Sequence, residues 1–229
     1  MSAKRRHSIP SAEGRHGRVF VISGPSGGGK TTVVDRLRQR LRGLARSISV
    51  TTRSPRPGER RGRDYRFVSL ETFQQLRRNG ELLEWARVHG AYYGTPKRPV
   101  LKTLAQGRDI VLSIDVRGAQ QVHRSLKERA VLIFLLPPSM ARLRQRLLQR
   151  RTETPAAIRR RLAAARREIA CASWYDYTVV NDRLSQTVTA VEVILGEHGV
   201  VQQRWGARGS SRRRLAAQVA RRKEGVSSS

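Results

Sequence analysis

The residues Gly24-Pro25-Ser26-Gly27-Gly28-Gly29-Lys30-Thr31 have the spacing of a loop built to hold phosphate. Glycine at these positions lets successive backbone N–H groups turn inward around phosphate oxygens without a Cβ in the way. A helix beginning at the end of the loop adds its positive pole. Lys30 then reaches β and γ phosphates, and the Thr31 hydroxyl is a ligand for Mg²⁺. The expected ATP-binding set is Gly24, Pro25, Ser26, Gly27, Gly28, Gly29, Lys30, Thr31 and the adjoining Thr32. Alone, such a loop implies a nucleoside triphosphate and leaves the acceptor open.

A second cluster has the chemistry to bind a phosphate monoester. In Ser49-Val50-Thr51-Thr52-Arg53-Ser54-Pro55-Arg56-Pro57-Gly58-Glu59, two guanidinium forks stand three residues apart on a loop stiffened by prolines. Such forks match a phosphate dianion bidentately. Tyr65 and Tyr93 are hydroxyl donors nearby in sequence. Glu84, in Leu82-Leu83-Glu84-Trp85, is a carboxylate amid apolar neighbours in a chain with 17 acidic against 47 basic residues. A carboxylate presents two adjacent acceptors, the complement of two neighbouring N–H donors.

The elements needed to position these groups follow from hydrophobic periodicity. Apolar runs at 18–23, 109–114, 131–136 and 177–180 read as strands. Helical spacing follows at 30–42, 117–127, 139–150 and 155–172. This alternation predicts an α/β fold with a parallel sheet flanked by helices. Residues 47–95 break the rhythm with Pro55, Pro57, Gly58 and several strand-like pieces, which predicts an inserted, mostly β subdomain. Residues 1–17 and 206–229 are basic and poor in apolar periodicity and are expected to be flexible tails, with 213–222 able to form a short basic helix.

The ordered set of motifs resembles the guanylate kinase family from about residue 19 to residue 182. The resemblance implies a P-loop nucleoside monophosphate kinase that moves the γ-phosphoryl group of Mg-ATP onto GMP (and dGMP), in purine metabolism and GMP recycling. It implies a core of 18–46, 96–140 and 172–205, a GMP-binding subdomain of 47–95 and a helical lid of 141–171. Arg53, Arg56, Tyr65 and Tyr93 would hold the GMP phosphate, and Glu84 would read the base. Asp115 would accept from its exocyclic amine, while Ser49 and Thr95 would address O6. Arg146, Arg150 and Arg161 take the places of the family's ATP-facing arginines and, with Lys30, are the expected catalytic residues. Asn181 falls where the family contacts adenine. A GMP phosphate is already an anion at neutral pH, so no general base is needed.

The sequence departs from the family in three places. Ser113-Ile114-Asp115 replaces Asp-Ile-Asp, which exchanges a carboxylate associated with Mg²⁺ hydration for a neutral hydroxyl. Arg117 replaces a glutamine, and Arg151 replaces the usual lid glycine.

The net charge of +30 attracts anions without choosing among them. With 5% aromatic residues and no RNA-binding module motif, no specific nucleic-acid partner is expected, although the basic tails suit salt-sensitive RNA adhesion. There is no apolar run of membrane-spanning length and only one cysteine, Cys171, which is expected to be a small core residue; together these favour the cytoplasm. Kinases of related phosphorylated small molecules, such as a ribose bisphosphate, would keep the loop without needing Glu84. Noncatalytic relatives of the family typically lose the loop altogether.

Overall fold

The computed structural model describes residues 16–149, 154–200 and 220–222. Its main sheet has six strands in the order β10-β9-β8-β1-β7-β2. These are β1 (Val19–Ser23), β2 (Ala45–Arg46), β7 (Ile110–Ser113), β8 (Ala130–Leu136), β9 (Tyr177–Val180) and β10 (Ala220–Arg222). All neighbouring pairs are parallel except β10 against β9. The sequence reading treats 206–229 as a tail with helical potential at 213–222; residues 220–222 instead lie opposite Tyr177–Val179 as an edge strand.

The continuous apolar runs of β1 and β8 arise because both faces of the sheet are covered. Phe20 and Ile22 of β1, with Val131, Ile133 and Leu135 of β8, enter one core. Helices α1 (Lys30–Arg40) and α7 (Leu184–Glu197) cover that side. Val19 and Val21, with Leu132 and Phe134, enter the opposite core beneath α3 (Lys97–Ala105) and α4 (Val116–Leu126). The period of two thus feeds two cores from each strand. Cys171 is half-buried against the second core.

Residues 47–95 form the expected β insertion. Its sheet runs β4-β3-β6-β5, with β3 (Val50–Thr51), β4 (Arg66–Phe67), β5 (Leu82–Val88) and β6 (Ala91–Pro96). Helix α2 (Leu70–Arg78), capped by the Ser69 hydroxyl on the Thr72 N–H, seats Phe73 in its interior. A register shift between Leu82 and Glu84 in β5 buries Leu83 and Glu84 consecutively. Strict alternation would have turned one of them to solvent.

Helices α5 (Met140–Leu148) and α6 (Pro155–Ala170) build a third, smaller core from Leu143, Leu147, Ile158 and Ala165. Ser139 caps the first, and Thr154, followed by Pro155 at the first position, caps the second.

Leu37 of α1 is fully buried in the first core. Leu37→Ala is expected to lower stability by about 2–5 kcal/mol, read as a lower midpoint of urea unfolding.

Candidate active site

A cleft of about 270 Å³ opens at the carboxyl ends of β1 and β7 and continues beneath the inserted sheet. One wall is the loop after β1. Gly29 caps α1 with φ 87°, a left-handed conformation that glycine alone adopts freely. The Gly28 N–H closes the loop on Pro25 O at 2.9 Å. Lys30 Nζ bonds the loop carbonyls of Gly24 (2.6 Å) and Pro25 (3.2 Å). Gly24, Ser26, Gly27, Gly29, Lys30, Thr31 and Thr32 all line the cleft.

Asn181 stands behind this wall. Its side-chain amide donates to Gly28 O at 2.6 Å, and the residue is 5% exposed. The sequence reading has it meet adenine, whereas here it braces the phosphate loop. Arg146 donates to Asn181 O at 3.0 Å, beside the cleft instead of within it. Arg161 of α6 does reach in, donating to Ser26 Oγ at 2.9 Å. Arg150 lies outside the described residues, as do Arg151 and most of both tails.

The second wall holds the paired arginines. Arg53 donates to Glu59 from Nη1 (2.7 Å) and Nη2 (2.6 Å), to Ser54 O from Nη1 (2.9 Å) and to the Tyr93 hydroxyl from Nε (3.0 Å). Its guanidinium also lies over the Tyr65 ring at 5.0 Å. Pairing with Arg53 pushes the Glu59 pKa down. Glu59 also accepts from the Arg56 backbone N–H at 2.8 Å, closing a turn through Pro57 and Gly58. One carboxylate therefore fixes the backbone of one arginine and the side chain of the other. Two forks open for bidentate binding are expected from the sequence, but Arg53's end-on face is already taken. Its open N–H lies on the edge shared by Nε and Nη2, toward Tyr93.

At the inner end Glu84 is 3% exposed and accepts the Thr95 hydroxyl at 2.6 Å. Thr95 is itself fully buried, so its hydroxyl serves Glu84 and does not open into the cleft; Ser49 does. Asp115 caps α4, accepting the Gly118 N–H at 2.8 Å. Burial first, and the neighbouring Asp115 charge second, push the Glu84 pKa up to about 8, against the hydrogen bond from Thr95. Burial raises Asp115 as well. A Cβ at Gly118 would overlap the Glu84 carboxylate, so the close approach of helix and strand requires glycine there.

Two further residues of the cleft region had no role in the sequence reading. Glu168 of α6 lines the cleft; burial raises its pKa, and the Ser26 backbone N–H points at it. It sits in an arginine-rich helical stretch with no local signal of its own. Gln121 of α4 bonds the backbone of Trp85. Ser113, the departure from the family pattern, also lines the cleft. Among the described residues no group of three or more His, Cys, Asp or Glu is placed to hold a metal, and no helix is long and apolar enough to cross a membrane.

The family model described as guanylate kinase matches residues 16–198. A guanylate kinase of Gloeobacter violaceus is 52% identical over 180 residues, covering 79% of this chain and 87% of that protein. One of Thermosynechococcus vestitus is 48% identical over 187 residues, 82% of this chain and 97% of that one. The crystal structure of guanylate kinase from Anaplasma phagocytophilum shares the fold with a TM-score of 0.69 and 34% identity, covering 88% of this chain and 97% of that chain.

Glu84 gives the protein a pH signature. Its folded pKa lies above the ordinary 4.5, so the folded state keeps a proton that the unfolded chain has lost. Stability therefore falls as pH rises from about 5 to 8 and levels off above. Melting temperatures of the wild type and Glu84→Gln are expected to diverge across that window, the wild type losing more.

Proposed function

The chain belongs to the guanylate kinase family and phosphorylates GMP at the expense of ATP; from that premise we propose how its side chains divide the work. The reading is carried by one juxtaposition: a buried carboxylate and a pair of organised arginines share a cleft with the phosphate loop.

GMP lies with its base at Glu84 and its phosphate at Arg53 and Arg56. The N1–H and N2–H donors of guanine replace the proton on Glu84, while Asp115 takes the exocyclic amine and Ser49 faces O6. The Arg53 edge, the Arg56 fork and the hydroxyls of Tyr65 and Tyr93 hold the phosphate. The Tyr93 oxygen already accepts from Arg53 Nε, which leaves its own proton to donate.

ATP takes the loop from Gly24 to Thr32. Lys30 exchanges the carbonyls of Gly24 and Pro25 for phosphate oxygens, and Arg161 exchanges Ser26 Oγ. Arg146 and Arg150 complete the positive shell from the lid. A GMP phosphate oxygen attacks the γ-phosphorus; the new O–P bond forms as the bond to the β,γ-bridging oxygen breaks, and ADP carries the electron pair away. The positive groups neutralise charge spreading over the transferred oxygens. The subdomain of 47–95 and the lid of 141–171 close on the core to exclude water, which would otherwise accept the phosphoryl group. dGMP is a second acceptor, and the cytoplasm suits a chain with one cysteine.

The donors present fit Mg²⁺ in the form it takes beside nucleotides. Thr31 and Ser113 offer neutral hydroxyls at the cleft, suited to an ion that keeps several waters and leans on substrate phosphates. Thr31 would hold it directly; when bound, it would neutralise charge on the β and γ phosphates.

Two experiments test this assignment. ADP release is expected to require GMP, with AMP, CMP, dTMP and a ribose bisphosphate failing to support it; Glu84→Gln should cut kcat/KM for GMP by about 100-fold or more. Efficient turnover by that variant would remove Glu84 from base recognition. Ser113→Asp is expected to lower the Mg²⁺ concentration giving half-maximal activity, and an unchanged midpoint would exclude position 113 from the metal's surroundings.

A further inference from the structure

Strand β5 carries Glu84 and lies at the edge of the inserted sheet, with β6 its one neighbour in that sheet. An edge strand presents unpaired backbone groups on its outer side. At Trp85, the residue after Glu84, both of these groups are met by a single side chain. The Trp85 N–H donates to Gln121 Oε1 at 3.2 Å, and Gln121 Nε2 donates to Trp85 O at 2.7 Å. The remaining Nε2 proton goes to Arg117 O, one turn back on α4, at 3.2 Å. The amide of Gln121 thus imitates the peptide group of an adjacent strand, and both of its N–H donors are engaged.

The same face of α4 continues toward the base reader. Asp115, Gly118 and Gln121 are spaced three apart and align on one side of the helix. Gly118 lies against the Glu84 carboxylate with no room for a Cβ, and Gln121 holds the next peptide. The helix therefore fixes Glu84 at two points, by contact at its carboxylate and by a two-bond clasp on the backbone beside it. A clasp of one acceptor and one donor sets both the height and the rotation of the strand. A carboxylate that must face two N–H groups at once is sensitive to both.

We propose that Gln121 is a positioning residue for guanine selectivity: its clasp on the Trp85 peptide sets where Glu84 stands relative to the base. The inference rests on Glu84 being the base reader. Gln121 touches neither nucleotide and acts through β5.

The test uses the full chain carrying Gln121→Met, which keeps the volume of the side chain and removes both bonds. The informative comparison is GMP against IMP, the same nucleotide without the exocyclic amine. Loss of two hydrogen bonds, together with sub-ångström misplacement, is expected to raise KM for GMP and narrow the GMP-over-IMP preference in kcat/KM by about 5- to 50-fold each. KM for ATP should stay within about two-fold, because the phosphate loop is untouched. Gln121→Glu should behave like the Met variant, since its carboxylate repels Trp85 O. An unchanged GMP-over-IMP preference in Gln121→Met overturns the proposal, as does a parallel rise in KM for ATP, which marks general loosening. Glu84→Ala separates the two levels. If it narrows the preference and raises KM for GMP while Gln121→Met does neither, the clasp fails alone. If Glu84→Ala leaves kcat/KM for GMP unchanged, the base-reading assignment has failed and the clasp with it.

Discussion

Burying a carboxyl group where water cannot reach it is the constraint around which this cleft is organised. An ionised Glu84 without partners would be strongly unfavourable in the interior. Burial raises its pKa to about 8, and the Thr95 hydroxyl supplies a hydrogen bond. The surroundings thus favour the protonated form unless further donors are supplied. In the proposed assignment guanine brings two N–H groups that favour the anion, which would make recognition of the base and release of a proton one event. A base with an acceptor at N1 gives the group no reason to ionise. The selectivity therefore comes as much from the surrounding dryness as from the carboxylate.

Similar reasoning covers the cationic side. Three cationic groups of the cleft are engaged by internal partners: Lys30 by two loop carbonyls, Arg161 by Ser26 Oγ and Arg53 by Glu59. The Ser26 N–H faces Glu168. In the proposed assignment substrate binding is an exchange of partners at positions already set, which would leave little ordering entropy to be lost when the phosphates arrive. The Arg53–Glu59 pair differs from the others in strength. Its two short bonds and the stacking on Tyr65 hold the guanidinium too firmly for simple displacement. In the proposed assignment the phosphate would add to the network at the edge shared by Nε and Nη2, beside the Tyr93 hydroxyl.

Much of this was legible in the sequence, for reasons that can be named. The phosphate loop is a local motif whose residues act within one turn of chain, and Lys30 and Thr31 fall where the spacing puts them. Core strands such as Ala130–Leu136 were legible because two covered faces leave an uninterrupted apolar run. What resisted reading depends on distant contacts. Thr95 looks like a site hydroxyl until β5 and β6 pair and turn it onto Glu84. Asn181 and Gly28 are 153 positions apart, and nothing near either residue announces their bond. Gln121 lies in an ordinary amphipathic helix, and its clasp appears only when α4 meets an edge strand. The strand at 220–222 is three residues long and mostly arginine, a composition that reads as tail.

The charge of the whole chain bears on why acidic groups sit in the cleft at all. A net charge of +30 draws every nucleotide and polyanion nearby, so long-range attraction cannot distinguish GMP from its competitors. Discrimination has to come from short-range terms that oppose the general field. Glu84, Asp115 and Glu168 all line the cleft, in a chain with only 17 acidic residues. Burial favours the uncharged form of each. In the proposed assignment, Glu84 and Asp115 gain partners from a ligand that presents N–H donors at the right points. A strongly basic protein would then select a purine monophosphate through buried carboxyl groups that its donors satisfy.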